Sequence, residues 1–403
     1  MLIGIIGKPS SGKSTFLNAA CLTNAKTGDY PFTTIEPNLG KGFVKSACVC
    51  KELDVEDNPK NSICENGVRF CPVELLDVAG LVPGAHEGKG MGNKFLNDLS
   101  RADVLLHIID ISGSLNEKGE NVEPGTHDPI DDIKFLEEEI IYWMKGIIER
   151  TDWDKFARTT HMQKIPVVDA MVERLSGIGI NEQHVSMALK QEGLSSKKIN
   201  DWDDEDRFSF AKNLQKISKP IIIIANKVDK EEGRKNFEKL QEMAEYKEMI
   251  FPCSALAEFY LRTYANKEII DYTPGESSFQ ITKKDKLSDK EVKALERIQS
   301  DILDVYGSTG IQDAINKAIF DILEYIFVFP VHDPNKFTDH DGRILPDVFL
   351  VKKGTKLIDF VRDKIHTDLA KHFIHGINAK NKKRLSEDYE VQPNDVVKIV
   401  SAK

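Results

Sequence analysis

Leu2-Ile3-Gly4-Ile5-Ile6-Gly7-Lys8-Pro9-Ser10-Ser11-Gly12-Lys13-Ser14-Thr15 is the stretch that decides the fold. A short apolar run ends in a glycine, and the pattern Gly7–Gly12–Lys13–Ser14 follows at the spacing of a phosphate-binding loop. Gly7 and Gly12 let the backbone curl so that the N–H groups of Lys8, Pro9's neighbours, Ser10, Ser11 and Gly12 can face phosphate oxygens. Lys13 brings a positive charge to the outer phosphates, and the Ser14 hydroxyl is a magnesium ligand by type. Residues Ser14 to Leu22 suit a helix whose amino terminus points at the same anion, with Thr15 in its first turn as a further nucleotide-binding residue. Lys13 is therefore expected to act in catalysis as well as in binding.

Downstream, apolar runs recur at Val73–Leu76, Val104–Ile109 and Ile221–Ala225. They show no alternation, as expected of parallel strands covered on both faces by helices. The first runs into Asp77-Val78-Ala79-Gly80. There Asp77 can hold a magnesium-bound water, and the Gly80 N–H can reach a γ-phosphate. The last runs into Asn226-Lys227-Val228-Asp229. Asp229 can accept hydrogen bonds from the ring N–H and amino group of guanine; adenine offers neither in that arrangement. Asn226 is expected to tie this loop to the phosphate loop, and Lys227 to lay its stem along the base. Cys253-Ser254-Ala255 follows a further short strand, where a backbone N–H can meet the guanine carbonyl. The set predicts GTP and GDP as ligands and Mg2+ as cofactor.

The expected fold class is α/β, a P-loop GTPase doubly wound sheet with a helical insertion and a small C-terminal α+β domain. The nucleotide domain is assigned to residues 1–110 and 220–330. Residues 111–219 form the insertion, because a structureless loop of that length is improbable in a compact domain. Within it, Ile133, Leu136, Ile140, Met144 and Ile147 fall at helical spacing over Asp131–Arg150. Further helical patterns over Val167–Leu194 break at Ser176–Gly179, and Trp202–Arg207 is strongly acidic. Residues 331–345 read as a linker. Residues 346–403 read as strand (Asp347–Val351), helix (Leu357–Ile365) and closing strand (Val396–Val400).

The 403-residue chain has a formal net charge of -10, which argues against nucleic-acid binding by the surface as a whole; no DNA contact is expected. Residues 346–403 differ, with 12 Lys/Arg against 8 Asp/Glu, a balance of +4, so any RNA contact is expected there. No apolar run reaches the roughly 20 residues that span a bilayer, and the amino terminus lacks the features of a signal peptide. No membrane association and a cytoplasmic location are expected. Four of the six cysteines, Cys48, Cys50, Cys64 and Cys71, cluster, while Cys21 and Cys253 stand apart. Their spacing lacks paired C-x2-C knuckles, so ordinary reduced thiols are the favoured reading, with a zinc site in the cluster as the alternative.

Tyr30-Pro31-Phe32-Thr33-Thr34-Ile35-Glu36-Pro37-Asn38 and Asp77-Val78-Ala79-Gly80-Leu81-Val82-Pro83-Gly84-Ala85 resemble the Obg family of GTPases, and within it the YchF-related branch of archaeal and eukaryotic type. Lys353-Gly354-Thr355-Lys356, Ile365-His366-Thr367-Asp368 and Pro393-Asn394-Asp395-Val396-Val397 resemble a TGS domain, a β-grasp-like module shared with threonyl-tRNA synthetases and stringent-response enzymes. The resemblance covers 1–110, 220–255 and 346–402. It implies that Thr34, with Thr33 as the alternative, closes on magnesium and the γ-phosphate. It also implies a translation-related partner, the ribosome or an RNA, reached through the TGS domain.

Two features qualify the picture. Leu81 stands where many regulatory GTPases place a water-orienting glutamine, so slow intrinsic hydrolysis is expected, with a partner, a cation or a residue such as His86 supplying the missing stabilisation. Ser10 occupies the place of the asparagine that holds potassium in some relatives. Several YchF relatives have lost the Asn-Lys-x-Asp pattern and prefer ATP. This chain keeps Asn226, Lys227 and Asp229, which favours GTP. An ATP-preferring hydrolase and a nucleotide-dependent scaffold with negligible turnover are the competing readings.

Overall fold

A computed structural model describes residues 1–21, 39–78 and 98–402. In chain order its strands are β1 (Leu2–Ile6), β2 (Leu39–Ala47), β3 (Ile63–Glu65), β4 (Val68–Asp77), β5 (Val104–Asp110), β6 (Ile221–Asn226), β7 (Ile250–Cys253), β8 (Ile270–Asp271), β9 (Gln280–Ile281), β10 (Tyr325–Val331), β11 (Phe349–Lys352), β12 (Phe373–Asn378), β13 (Arg384–Leu385) and β14 (Asp395–Ser401). The described chain divides into two compact units, residues 1–21, 39–40, 74–78 and 98–314 in one, and 41–73 with 315–402 in the other.

In the first unit, β4, β1, β5, β6 and β7 lie side by side and all pair parallel. Every residue of β1 and β5 is buried, as their uninterrupted apolar sequence requires. The chain leaves β1 for one neighbour, β4, and later supplies the other, β5. The loop after β1 therefore opens at the carboxyl edge where strand order reverses, the place where doubly wound sheets bind ligands.

The insertion is helical, with helices Pro129–Glu149, Trp153–Met162, Val167–Leu175, Glu182–Gln191 and Asp204–Ser218. The first starts where Asp128 accepts the Ile130 N–H and Pro129 fixes the first turn. It buries Leu136, Ile140 and Met144 in one cluster with Met171, Leu175, Leu189, Phe210 and Leu214 from the other helices. The acidic run Trp202–Arg207 is the start of the last helix. Asp203 caps it and exchanges backbone hydrogen bonds with Asp206. The acid-rich sequence is thus an amino-terminal signal that complements the helix dipole.

In the second unit, a five-stranded sheet runs in the order β11-β10-β14-β12-β13. β10 and β14 are parallel and the other pairs antiparallel. The helical segment Leu357–Ile365 buries Leu357, Phe360 and Val361 against Val328, Val351 and Val397, which is a β-grasp arrangement. The hairpin of β3 with the first part of β4, residues 68–73, belongs to the same unit, and the rest of β4 runs on into the first. Arg69 on β4 is fully buried there and donates to the Leu345 carbonyl at 3.0 Å, and Asn61 exchanges two hydrogen bonds with Val348.

These boundaries differ from the expected ones. Residues 315–330, assigned by sequence to the nucleotide domain, and the linker 331–345 fall in the second unit, as do residues 41–73. For residues 315–345 the cause is pairing: β10 pairs with both β11 and β14, which no local pattern announces.

Candidate nucleotide site

The phosphate-loop residues come together at the end of β1. Gly7 and Gly12 take φ of 148° and 103°. A Cβ on Gly7 would lie 2.3 Å from the Ile108 carbonyl oxygen, and one on Gly12 would lie 2.2 Å from Asn226 Nδ2. Both positions therefore need glycine for space as well as for conformation. Ser10 also has positive φ, at 65°, and is exposed, whereas Ser11 is buried. The Lys13 ammonium folds back onto the Gly7 and Lys8 carbonyls at 3.0 and 2.7 Å. Burial lowers its pKa, an effect opposed by the nearby Asp77 charge.

Ser14 Oγ donates to Asp77 Oδ2 at 3.2 Å. The other carboxylate oxygen, Oδ1, is buried and has no hydrogen-bond partner among the described residues. An orphaned anionic oxygen beside a hydroxyl, at the mouth of an anion-binding loop, fits a hydrated Mg2+ ion. Thr15 is half-buried on the same helix. Thr34 and Gly80, with Thr33, Leu81 and His86, lie outside the described residues.

Asn226 joins the two ends of the site. Its Nδ2 donates to the Ser11 carbonyl at 2.9 Å, and its Oδ1 accepts the Ala255 N–H at 3.0 Å. Ser254 Oγ donates to Asp229 Oδ1 at 2.9 Å and also caps the helix Ala255–Asn266. Lys227 has φ of 70° and places its ammonium 3.0 Å from Asp110 Oδ2. Asp110 in turn accepts from the Ser112 and Ser114 hydroxyls, both at 2.6 Å. Burial pushes the Asp110 carboxyl up, but these hydroxyls and Lys227 outweigh it and hold its pKa below the ordinary carboxylate value.

Three supports escaped the sequence reading. The Lys8 side chain is buried and ion-paired with Asp132, with His127 Nε2 at 3.2 Å and the Asn116 carbonyl at 3.2 Å. The Lys8 side chain is thus committed to the segment 113–132. The expected phosphate contact of Lys8 is through its backbone N–H, which this side-chain pairing leaves untouched. Gly119 comes within the same segment, where a Cβ would meet the Pro9 carbonyl at 2.8 Å. The third support is Ser308-Thr309-Gly310: the Thr309 carbonyl accepts the Ser254 N–H at 3.0 Å. A Cβ on Gly310, at φ 88°, would lie 1.9 Å from the Pro252 carbonyl oxygen. The triplet's Ser-Thr-Gly composition is a turn signal, but its partner lies more than fifty residues away.

Family comparisons agree with this geometry. Residues 2–143 match the 50S ribosome-binding GTPase family, 224–333 the G4 motif-containing domain of YGR210-like Obg-like GTPases, and 336–401 the TGS domain. An uncharacterized GTP-binding protein of Methanocaldococcus jannaschii is 46% identical over 402 residues, covering 100% of this chain and 99% of its own length. The chain belongs to the Obg/YchF-related family of GTPases. Its fold is similar to the crystal structure of a GTP-binding protein from Pyrococcus horikoshii OT3, at 38% identity and a TM-score of 0.78, with 100% of both chains covered. The ribosome-binding ATPase YchF of Bacillus subtilis is 30% identical over 261 residues, 63% of this chain and 65% of that one. As an Obg/YchF-related protein the chain is a nucleoside-triphosphate hydrolase with a P-loop domain and a TGS domain, and GTPases of this kind generally use Mg2+. No helix among its described residues is long and apolar enough to cross a membrane.

Proposed function

We propose that the protein is a GTP-driven switch acting on the ribosome or a translation-related RNA, with slow intrinsic hydrolysis. The observation that carries the guanine reading is the joined base loop. Asn226 fixes the loop to Ser11 and Ala255, and Ser254 orients the Asp229 carboxylate. A carboxylate so held is matched to the two N–H donors on guanine's edge, and adenine would leave it unpaired. Lys13 and the backbone of residues 7–14 bind the phosphates. Thr34 and Gly80 sense the γ-phosphate, which lets two loops order with GTP and relax after hydrolysis. Ser14 and Asp77, with Thr34, would hold Mg2+, which when bound neutralises charge building on the phosphate oxygens. Leu81 offers no group to orient the attacking water, so turnover depends on a partner, a cation or another residue.

For the ribosome or RNA contact the supporting features are the TGS domain and the exposed basic run Lys382-Lys383-Arg384 leading into β13. The similarity to the ribosome-binding ATPase YchF of Bacillus subtilis points the same way. The test is co-sedimentation of the full chain with purified ribosomal subunits in the presence of a non-hydrolysable GTP analogue, GDP or no nucleotide. Retention that depends on the GTP analogue, with GTP turnover accelerated by subunits, is expected. Equal sedimentation in all three states, with no acceleration, would contradict the switch and leave a scaffold.

A further inference from the structure

Away from the nucleotide site, the second unit gathers three thiols and a carboxylate. Cys48 precedes the helical turn Val49–Glu52, Cys50 lies within it, Cys64 is on β3 and Asp57 is in the intervening loop. One ligand atom from each lies within 4.8 Å of all the others. Cys71, adjacent in sequence terms, is not part of the group. Its place is taken by Asp57, which spacing among cysteines could not reveal.

The separations have a chemical meaning. Cys50 Sγ and Cys64 Sγ are 3.8 Å apart, too far for a disulfide, and all six cysteines are free. Two thiolates bound to one tetrahedral Zn2+ at about 2.3 Å each lie about 3.8 Å apart. A thiolate and a carboxylate oxygen on the same ion lie about 3.5 Å apart by the same geometry; Cys48 Sγ and Asp57 Oδ2 are 3.3 Å apart. The quartet therefore spans the edges of one coordination tetrahedron, a size that suits a single ion.

The surroundings fit an ion as well. Cys48 and Cys50 are buried, and a cleft of about 350 Å³ lined by Cys50, Asp57, Cys64, Asn66 and Gly67 gives access from solvent. Arg69, fully buried, donates from Nε to Cys48 Sγ at 3.4 Å and from Nη2 to Asp57 Oδ2 at 2.7 Å. That is the role of an outer hydrogen-bond donor, which orients ligands and offsets surplus negative charge. The local elements are short: a four-residue helical turn and a three-residue strand closed by Asn66-Gly67, both at positive φ. Elements of that length have little stability of their own, and a cross-link between helical turn, loop and hairpin compensates.

We propose that Cys48, Cys50, Cys64 and Asp57 bind one Zn2+ ion in a tetrahedral structural site that pins the segment 48–67 together. Three thiolates select a thiophilic ion over Mg2+ or Ca2+, so this site is distinct in chemistry from Ser14 and Asp77.

The test uses the full chain, expressed with zinc, purified under reducing conditions without chelator, and measured by elemental analysis. About one zinc per chain is expected, falling at least tenfold in Cys50→Ser and Cys64→Ser and unchanged in Cys71→Ser and Cys21→Ser. Because a serine variant could fail to fold, the metal-stripped wild-type chain is also titrated with Co2+. An intense thiolate-to-cobalt charge-transfer band with tetrahedral ligand-field bands is expected, and the reloaded chain should melt several degrees higher than the stripped one. A wild-type chain that carries no zinc and gives no charge-transfer band with Co2+ overturns the proposal. So does mononuclear iron in place of zinc, or a Cys50–Cys64 disulfide in the chain as purified.

Discussion

Asn226 bonds to two backbone segments, Ser11 in the phosphate loop and Ala255 at the head of a helix. Replacing it with alanine removes both hydrogen bonds and leaves the Ala255 N–H buried and unpaired. A stability loss of about 2 kcal/mol and weaker binding of both GDP and GTP are expected, read from denaturant unfolding and nucleotide titration. Asp229→Asn differs in kind. It should leave stability nearly unchanged and weaken GTP by about 100-fold, because an amide cannot accept both guanine donors. His107 makes a third residue-scale prediction. Burial, reinforced by the Lys13 and Lys8 charges, pushes its imidazole pKa down to about 3, and Nδ1 has no partner among the described residues. The unfolded chain therefore takes up a proton here that the folded chain refuses. The stabilising contribution is complete above pH of about 6.5 and is lost as pH falls towards 3, at up to about 1.4 kcal/mol per pH unit. His107→Leu should flatten the stability profile between neutral pH and pH 4.5 in urea titrations; an unchanged slope would assign the acid sensitivity elsewhere. At this scale the sequence was legible where residues act through local backbone, as Gly7 and Gly12 do. It was silent on Lys8 with Asp132, because a buried ion pair across more than 120 residues leaves no spacing to read.

Among elements, the helix Pro129–Glu149 contains one exposed glycine, Gly146, around which an added Cβ meets nothing. Gly146→Ala should stabilise the chain by about 0.5–1 kcal/mol, seen as a higher unfolding midpoint. Gly307 and Gly310 supply a sharper contrast. Both have positive φ, 79° and 88°, but only Gly310 packs its missing side chain against the end of β7. Gly307→Ala should cost about 1–2 kcal/mol from backbone conformation alone. Gly310→Ala adds a clash that displaces Pro252 and with it Ser254, so a larger loss accompanied by weaker nucleotide binding is expected. The strands were readable because their apolar runs are continuous. The last insertion helix was hidden, because its acidic head reads as solvated chain until Asp203 and Asp206 are seen to cap it.

For the molecule as a whole, the expected order of a nucleotide domain, a helical insertion and a terminal β-grasp module is present, while the dividing lines moved. Strand β10, whose residues 325–330 are assigned by sequence to the nucleotide domain, joins β14 by parallel pairing. The net charge of -10 is unevenly shared, and the basic excess of the last 58 residues is the feature that directs the proposed RNA contact there. Part of that charge is internally paired, as in Lys356 with Asp388 and Lys371 with Asp368, and the exposed run Lys382–Arg384 is the longest basic stretch in the segment and the one to change. Replacing these three residues with glutamate should reduce ribosome co-sedimentation at least tenfold and make the residue less sensitive to salt, without altering nucleotide affinity. Guanine selection rests on the joined base loop. The most direct measurement is the equilibrium affinity of the full chain for GTP and for ATP, each with Mg2+, by competition against a labelled guanine nucleotide. A preference for GTP of about 100-fold or more is predicted. Equal affinities, or tighter binding of ATP, would contradict it.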